Sequence, residues 1–273
     1  MKILNELEKN RVSQKLSVRI LNEKGDISRQ SITAMEEALV SIYIDDAHIY
    51  DLPCSPEDIP ELVIGWVVTE ADISYDMIES LVLRPDEDIS DLIYAHITTA
   101  SENQKDDDAV IKHNEENASK GDGTFNDLFS SMDMTVTENW QWLYRLQERF
   151  MQERPLRKIT KAAHSCMLVR LETESGIYRD FELLYQSEDA GRHSAMDKAI
   201  GRGIISGTDM RSCILFTSGR ISTAMVRKAV RSGAAALVTA KPLVTTGAVD
   251  TARKNGLLLA GIDEETREIH IFS

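Results

Sequence analysis

The sequence predicts an α/β protein, α+β overall, that is built from two domains. Its 273 residues exceed what one small hydrophobic core organises. In the second half, short apolar stretches alternate with helical patterns, which is typical of a sheet covered by helices on both faces. A polar segment at residues 101–123 separates the halves. We therefore expect an N-terminal α+β domain over residues 1–118, ending in a mobile loop, and a C-terminal α/β domain over residues 119–273.

The N-terminal half contains strand patterns followed by one helix pattern. Strands are expected at Leu16–Leu21, Ala38–Ile44 and His48–Leu52, with a turn at Asp45-Asp46 between the last two. A helix is expected to begin at Pro56, with Ser55 as its cap. Its apolar positions, which recur at helical spacing, are Ile59, Leu62, Val63 and Trp66. Residues 72–82 and 89–98 predict further short elements of unassigned type.

The second half alternates regularly between strand and helix patterns. A first helix is expected between a capping box at Thr135 and Glu138 and a stop at Pro155. Strands are expected at His164–Leu171, Phe181–Gln186, Ser212–Thr217, Ala235–Thr239, Leu257–Ile262 and Arg267–Phe272. Helices are expected at Ser194–Arg202, Ser222–Ser232 and Thr246–Asn255. Ser175-Gly176 is expected to turn between the first two strands, and Gly233 and Gly256 to close the last two helices.

Charge is divided unevenly between the two halves. Residues 1–150 contain 13 Lys and Arg against 31 Asp and Glu, a net charge of −18. Residues 151–273 contain 18 against 14, a net charge of +4. Binding of nucleic acid through its phosphates needs clustered Lys and Arg, so we expect no nucleic-acid partner for the acidic half. The mildly basic half is able to hold a few phosphates of a small molecule.

Composition also predicts the cellular compartment of the protein. No window approaches 18 consecutive apolar residues, and the first residues lack a secretory signal, so we expect no membrane association. The three cysteines, Cys54, Cys166 and Cys213, are odd in number and flanked by apolar residues. This usage is typical of buried thiols in a reducing compartment, and the cytoplasm is the expected location.

Three strand-to-helix junctions of the second half carry residues suited to binding phosphate. They are Glu188–Lys198 (EDAGRHSAMDK), Ser218–Ser222 (SGRIS) and Lys241–Thr246 (KPLVTT). Ligands of such sheets lie at the carboxyl ends of the strands, where helix N-termini present free N–H groups. Glycine lets the backbone approach a ligand, hydroxyl groups bind oxygen, and arginine binds phosphate through two N–H groups. We interpret the three junctions as one site for a nucleotide-containing cofactor, although each alone is also a common kind of turn.

The histidines and the absence of metal-binding motifs give less information about function. His193 lies at a predicted helix start, where the positive helix end disfavours its charged form. It is therefore either a hydrogen-bonding or proton-transfer group, or a neutral capping side chain. The sequence contains no CxxC and no HxxxH, so we expect no zinc site. GxGxxG and GxxxxGK[ST] are also absent, which excludes the common dinucleotide and P-loop fingerprints.

These motifs resemble those of a known family. Residues 188–201 read EDAGRHSAMDKAIG, and SGRIS, MVRKA and SG follow at residues 218–222, 225–229 and 232–233. In the N-terminal half, Pro56–Glu70 keeps Leu62, Gly65, Trp66 and Glu70 of a further pattern. The chain thereby resembles, over most of its length, the formate dehydrogenase accessory sulfurtransferase family (FdhD).

The resemblance implies a function. Members of the family pass sulfur from a cysteine desulfurase to the molybdenum cofactor, bis(molybdopterin guanine dinucleotide), and deliver that cofactor to formate dehydrogenase. They bind it through its guanine nucleotide ends, for which GDP is an analogue. The resemblance also implies a homodimer and a C-terminal three-layer α/β/α domain similar to the cytidine deaminase fold, without its zinc site.

The cofactor-binding residues that follow from the motifs and the resemblance are His164, Asp189, Gly191, Arg192, His193, Asp197, Lys198, Ser218, Gly219, Arg220, Ser222, Gly261 and Ile262. Among them, Arg192, Arg220 and Lys198 are expected to hold phosphate. The loop Ser218–Ser222 is expected to supply hydroxyl or backbone contacts, and Asp189 or Asp197 to orient the cations.

The sequence departs from the family at the sulfur-carrying loop. The two family cysteines correspond to Lys120 and Gly123, so no catalytic residue is assigned, because a thiolate is the required nucleophile. One hypothesis is a cofactor-binding protein that has lost persulfide transfer. A second is an enzyme that transfers sulfur through one of the three remaining cysteines. A third is a scaffold that contacts a molybdenum oxidoreductase through its acidic half.

Overall fold

The computed structural model describes residues 1–8, 11–100, 140–174 and 177–273. Several predicted features lie outside these residues: the capping box at Thr135 and Glu138, the turn at Ser175-Gly176, the loop positions Lys120 and Gly123, and the domain boundary at residue 118. None of the described helices is long and apolar enough to cross a membrane.

The N-terminal part forms a five-stranded mixed sheet and a separate hairpin. The sheet has the order β1-β6-β7-β4-β5. Its strands are β1 Lys2–Asn5, β4 Ala38–Ile44, β5 Ala47–Cys54, β6 Ile78–Pro85 and β7 Leu92–Thr99, and the hairpin consists of β2 Ser13–Leu21 and β3 Ile27–Met35. The predicted turn between β4 and β5 is confirmed: Asp45 and Asp46 have φ values of 46° and 66°, as a tight hairpin turn requires.

Helix α1, Ile59–Thr69, covers one face of this sheet with Leu62, Val63 and other apolar side chains. It begins three residues later than predicted, after Asp58 in a left-handed conformation, so the expected capping role of Ser55 is wrong. The unassigned stretches proved to be strands β6 and β7. Strand β3 was missed, since its sequence ISRQSITAM has no regular alternation of apolar residues and its first six residues are exposed.

The C-terminal part is a six-stranded sheet of order β13-β12-β11-β10-β8-β9. Its strands are β8 His164–Glu174, β9 Ile177–Asp189, β10 Cys213–Thr217, β11 Ala236–Thr239, β12 Leu258–Ile262 and β13 Ile269–Ile271. β10, β11 and β12 run parallel to one another, and the outer strands are antiparallel to their neighbours.

Helices cover both faces of this sheet, which confirms the predicted α/β/α layering. The helices are α2 Gln141–Gln152, α3 Pro155–Thr160, α4 Arg192–Ile205, α5 Thr223–Arg231 and α6 Thr246–Lys254. α2 packs on one face through Trp142, Leu146 and Phe150. α4, α5 and α6 pack on the other face in a second apolar cluster. Pro155 lies at the start of α3 and so both ends one helix and begins the next.

Helices α1 and α4 join the two parts of the molecule. They cross so closely that a Cβ on Gly65 would lie 1.9 Å from the backbone oxygen of Asp197, and a Cβ on Gly201 would lie 1.8 Å from that of Glu61. Arg202 and Glu61 form an ion pair of 2.7 Å beside the crossing. The crossing therefore fixes the middle of α4, which carries the principal sequence motif, against α1.

Candidate anion-binding site at the edge of the C-terminal sheet

The three predicted junctions meet at one edge of the C-terminal sheet. Thr217, Thr239 and Gly261 lie in register at the carboxyl ends of β10, β11 and β12. β8 runs in the opposite direction, so its first residue His164 lies at the same edge and pairs with Asp189. The loops that precede α4, α5 and α6 therefore all lie at this edge, as expected from the strand and helix order.

Ser218 is held firmly next to His164. Its backbone N–H donates to the Ser165 carbonyl at 3.0 Å, and the Ser165 N–H donates to its Oγ at 3.0 Å. The same Oγ lies 3.5 Å from Nδ1 of His164. Gly219 is fixed from both sides, since its N–H donates to Thr217 Oγ1 and its carbonyl accepts from Thr239 Oγ1. The loop is thus rigidly positioned by the ends of its neighbouring strands.

Arg192 packs directly on this loop. A Cβ on Gly219 would lie 3.0 Å from both Cβ and Cδ of Arg192, so only glycine allows this close approach. Two polar atoms beside the loop are buried without a hydrogen-bond partner among the described residues, namely Nε of Arg192 and Oγ of Ser222. Buried polar atoms are seldom left unsatisfied. Nε of Arg154, Nε of Arg202 and Nε2 of His270 share this state, so the two atoms support an oxygen-rich ligand only together with the arginines of the edge.

The edge is electrostatically positive. Arg192 and exposed Arg220 have no ion pair within 4 Å in the described part of the chain, and the Arg157 guanidinium donates to the Ala163 carbonyl at 2.8 Å. Burial lowers the pKa of His164, and the charges of Arg157 and Arg192 lower it further. His164 is therefore a neutral hydrogen-bonding group at neutral pH, in surroundings that attract anions.

His193 is also held uncharged, as predicted, although the cause differs. Burial contributes most to lowering its pKa, followed by the charges of Lys228 and Arg192. The neutral imidazole remains compatible with both roles considered for it.

Lys198 and Asp189 occupy a different environment from the one expected. Both side chains are fully buried and form an ion pair of 2.7 Å. Lys198 Nζ also donates to the carbonyl and Oγ of Ser55, at 3.1 and 3.0 Å, while Asp189 accepts from the Ser55 N–H at 3.0 Å. The ammonium has no exposed face for a phosphate, so this placement favours a positioning role in place of the direct contact predicted above.

A second buried pair lies one turn further along the junction of the two parts. Lys228 Nζ contacts both oxygens of Asp197, at 2.9 and 3.0 Å, and Glu70 at 2.7 Å. Thr69 Oγ1 donates to Asp197 at 3.0 Å. Burial raises the pKa of Asp197 to about 6 against the opposing effect of Lys228, so its carboxyl is still ionised at neutral pH. Asp197 therefore orients Lys228 and α1, not a cation of the exposed edge.

The remaining predicted residues contribute to the backbone framework. Gly191 begins α4, and its N–H donates to Oδ1 of Asp189 at 2.8 Å. Gly261 is buried where a Cβ would lie 2.7 Å from Cα of Pro242, so it allows the third junction to pass close to β12. Ile262 is buried in the core beneath α2. We assign these three residues to packing around the edge.

Several residues of the junction were not singled out by sequence reasoning. Glu188 accepts from the first N–H groups of α3, at 2.7 Å from Leu156 N and 3.0 Å from Arg157 N, and so holds Arg157 at the edge. Ser55 and Lys228 were noted only as a helix cap and as part of a matching motif. The sequence signal for these partners was the density of charged residues in EDAGRHSAMDK. Once such a stretch is buried, each of its charges needs a partner.

The three cysteines are unsuited to nucleophilic chemistry. All are buried, and desolvation raises the pKa of each thiol, that of Cys54 to about 12. The reactive species is the thiolate, so the native thiols are unreactive at neutral pH. Within the described residues, no group of three or more His, Cys, Asp or Glu is arranged to hold a metal ion.

Thiol titration with Ellman's reagent at pH 8 tests this conclusion. We expect far less than one reactive thiol in the native protein and three in guanidinium chloride, since burial and the raised pKa both disappear on unfolding. A thiol that reacts in the native protein at the rate of a free cysteine would contradict the burial described here. Such a result would support the hypothesis that this cysteine transfers sulfur.

Fold and site together define an α+β protein of two sheets, joined by a glycine-packed helix pair, with an arginine-lined edge suited to anions. The FdhD/NarQ family model matches residues 35–273, and the chain belongs to that family.

Individual relatives agree with this membership. The chain is 24% identical over 261 residues to the sulfur carrier protein FdhD of Halalkalibacterium halodurans, which covers 90% of this chain and 88% of that protein. A shorter match of 127 residues, 35% identical, to the sulfur carrier protein FdhD of Corynebacterium efficiens covers 46% of this chain and 43% of that protein. The fold is similar to that of a proposed formate dehydrogenase accessory protein from Desulfotalea psychrophila, with a TM-score of 0.66 and 17% identity over 96% of this chain and 97% of that one.

Proposed function

We propose that this protein is a formate dehydrogenase accessory protein that binds the guanine nucleotide ends of the molybdenum cofactor and assists its delivery. The observation that carries the proposal is the edge at which Arg192, Arg220, His164 and the loop Ser218–Ser222 converge. Unpaired guanidinium groups and unsatisfied buried donors at the ends of parallel strands are suited to a pyrophosphate. The protein of similar fold from Desulfotalea psychrophila is named a proposed formate dehydrogenase accessory protein, whereas the relative from Halalkalibacterium halodurans is named a sulfur carrier protein.

Different residues of the chain would have different roles in binding the ligand. Arg192 and Arg220 would bind phosphate oxygens, and Ser222 Oγ would donate a further hydrogen bond. Neutral His164 and the fixed Ser218 would bind uncharged oxygen or nitrogen atoms of the ligand. Asp189, Lys198 and Glu188 would act indirectly, because their contacts hold the loops that carry these groups. The cofactor would supply the molybdenum chemistry of the recipient enzyme.

Replacing Arg220 with alanine is expected to weaken GDP binding at least about tenfold. A hydrogen bond to a charged group contributes about 1.5–3 kcal/mol, and each 1.4 kcal/mol corresponds to about tenfold in affinity. Isothermal titration at two salt concentrations measures the effect, and binding to the wild-type protein should weaken as salt screens the phosphate contacts.

Arg253→Ala is the matched control for this experiment. Arg253 is also exposed but lies in the last turn of α6, at the opposite edge of the sheet, where its Nε donates to the Phe272 carbonyl at 3.1 Å. Its removal changes the net charge by the same amount and should leave GDP affinity within twofold. Equal affinities of the wild type and Arg220→Ala would remove that loop from the proposed site, and no binding at millimolar GDP would refute nucleotide recognition altogether.

Sulfuration of the cofactor by this protein has less support from its residues than cofactor binding. The family cysteine positions hold Lys120 and Gly123, and the three cysteines of the chain are buried. We therefore favour cofactor binding and delivery over persulfide transfer from a cysteine desulfurase. The alternative is a non-catalytic nucleotide-binding or scaffolding protein for a molybdenum oxidoreductase. Incubation with a cysteine desulfurase, cysteine and a persulfide-reactive label tests sulfur transfer, because only a sulfur carrier becomes labelled; a labelled protein would overturn the preference for binding without persulfide transfer.

A further inference from the structure

The five-stranded N-terminal sheet has one face that α1 does not cover. Along β4 and β7, buried residues such as Ile42 and Ala95 face the helix, so the alternate residues form what we call the outer face. Among the described residues no layer covers this face, and such a face is normally polar. Here the outer face is largely aromatic and aliphatic, and Leu4 and Leu39 on it are 42% and 38% exposed.

The centre of the outer face is a group of four rings, Tyr43, His48, Tyr94 and His96, which we call the aromatic group. Tyr43 stacks on His96 with ring centroids 4.8 Å apart and an interplanar angle of 19°. His48 and Tyr94 lie 5.2 and 6.2 Å from Tyr43. All four side chains remain partly or largely exposed. Mutual stacking holds the rings in place, so they form a preorganised surface.

Carboxylates border the aromatic group on two sides. Asp86 accepts from the Tyr94 hydroxyl at 2.8 Å, and Asp51 lies 2.9 Å from Nε2 of His48. Hydrogen bonds from the Asp88 backbone and Tyr94 lower the pKa of Asp86, and those from Ser41 and His48 lower that of Asp51. Both are therefore ionised at neutral pH.

The surrounding sequence is strongly acidic. Residues 36–99 contain 16 Asp and Glu and one basic residue, Arg84, a net charge of −15. Arg84 is itself paired with Glu6 at 3.1 Å, and Lys2 of β1, which lies outside this range, is on the outer face two residues from Leu4. The outer face is therefore an aromatic surface in a field that attracts cations, and the sign is opposite to that of the arginine-lined edge.

We propose that the outer face binds an arginine-rich segment of a partner protein. A guanidinium group stacks on aromatic rings and pairs with carboxylates through two N–H groups, which matches the aromatic group and its bordering Asp51 and Asp86. A second copy of this chain is disfavoured as the occupant, because two outer faces would bring like charges together.

The outer face and the arginine-lined edge are structurally separate. α1 covers the inner face of the N-terminal sheet and packs with its other side on α4, so a helix layer lies between the two surfaces. A basic partner segment and a phosphate-bearing ligand could therefore be bound at the same time. The inference extends the proposed function by giving the chemistry of the partner, and it can fail independently of GDP binding.

Fluorescence anisotropy with a labelled nona-arginine peptide and the full chain tests the proposal. We expect saturable binding that weakens with salt, and about fivefold or more weaker binding by Tyr43→Thr, which removes the central ring but suits a strand. Asp51→Asn with Asp86→Asn should weaken binding similarly while preserving side-chain shape. A nona-lysine peptide should bind several-fold more weakly, since ammonium groups do not stack as guanidinium groups do.

Tyr50→Thr is the matched control, because Tyr50 is 47% exposed on the adjacent strand but stacks on Trp66 at the other face. It should retain affinity within twofold, and all variants should bind GDP as the wild type does. Equal losses in the two tyrosine variants, equal affinity for both peptides, or no peptide binding would overturn the proposal. Sedimentation showing a dimer that Tyr43→Thr dissociates would overturn it in favour of a second copy.

Discussion

Replacing Gly201 with alanine is expected to lower the free energy of unfolding by about 3 kcal/mol or more. The new methyl group would lie 1.8 Å from the carbonyl oxygen of Glu61, which is backbone of α1 and cannot rotate away. The two helices would have to separate, and the apolar contacts on both sides of the crossing would be lost. Chemical denaturation followed by circular dichroism measures the change.

Gly203→Ala is the control within the same helix. Its methyl group would meet Sδ of Met210 and Cδ2 of Leu168, at 2.6 and 2.8 Å, which are the ends of side chains that can move. Alanine also has a helix propensity about 1 kcal/mol better than glycine, so the net change should be small. Equal destabilisation by the two substitutions would contradict the close crossing. Gly65→Ala with Gly201→Ala should cost less than the sum of the single changes, because both displace the same helix pair.

Replacing Lys198 with methionine is expected to cost about 3–5 kcal/mol of stability, because it leaves the Asp189 carboxylate buried without its counter-charge. The exposed control Lys254→Met should change stability by less than about 0.5 kcal/mol. Thermal and urea denaturation measure both. The partner change Asp189→Asn, made together with Lys198→Met, should recover part of the loss, since the buried charge is then removed.

This experiment also separates two roles for Lys198. A positioning residue buried between the two parts of the molecule affects stability first, and GDP affinity falls only to the extent that the loops shift. A direct phosphate ligand would lower GDP affinity while leaving stability almost unchanged. Unchanged stability of Lys198→Met would therefore contradict the buried pair and restore the contact predicted from the sequence.

Much of the fold follows from local sequence. The strand Ala38–Ile44 and the core strands of the C-terminal sheet were predicted within a few residues, because apolar periodicity and glycine stops are local signals. Hairpin β2–β3 was seen only in part, since β3 lacks an alternating pattern and is defined by pairing with β2 along its length. Boundaries such as the start of α1 depend on backbone geometry at Asp58, which composition does not specify.

The sequence by itself determined the layered α/β architecture of the C-terminal part, the family, and the gathering of three polar junctions at one sheet edge. It also predicted an uncharged His193. The family follows from the resemblance of the motifs at residues 188–233, and the other conclusions rest on residue type, periodicity and spacing, which are properties of short stretches of chain.

Only the tertiary structure decided which charged residues of the motif face outward and which face each other. Asp189 contacts Ser55 across 134 residues, and Lys228 contacts Thr69 across 159. Burial and ion pairing at such separations depend on how α1 packs on α4, and no local pattern encodes that packing. The physical reason is desolvation: an enclosed charge is stable only beside its partner, so the same Lys or Asp that could bind a ligand at the surface becomes part of the framework when buried.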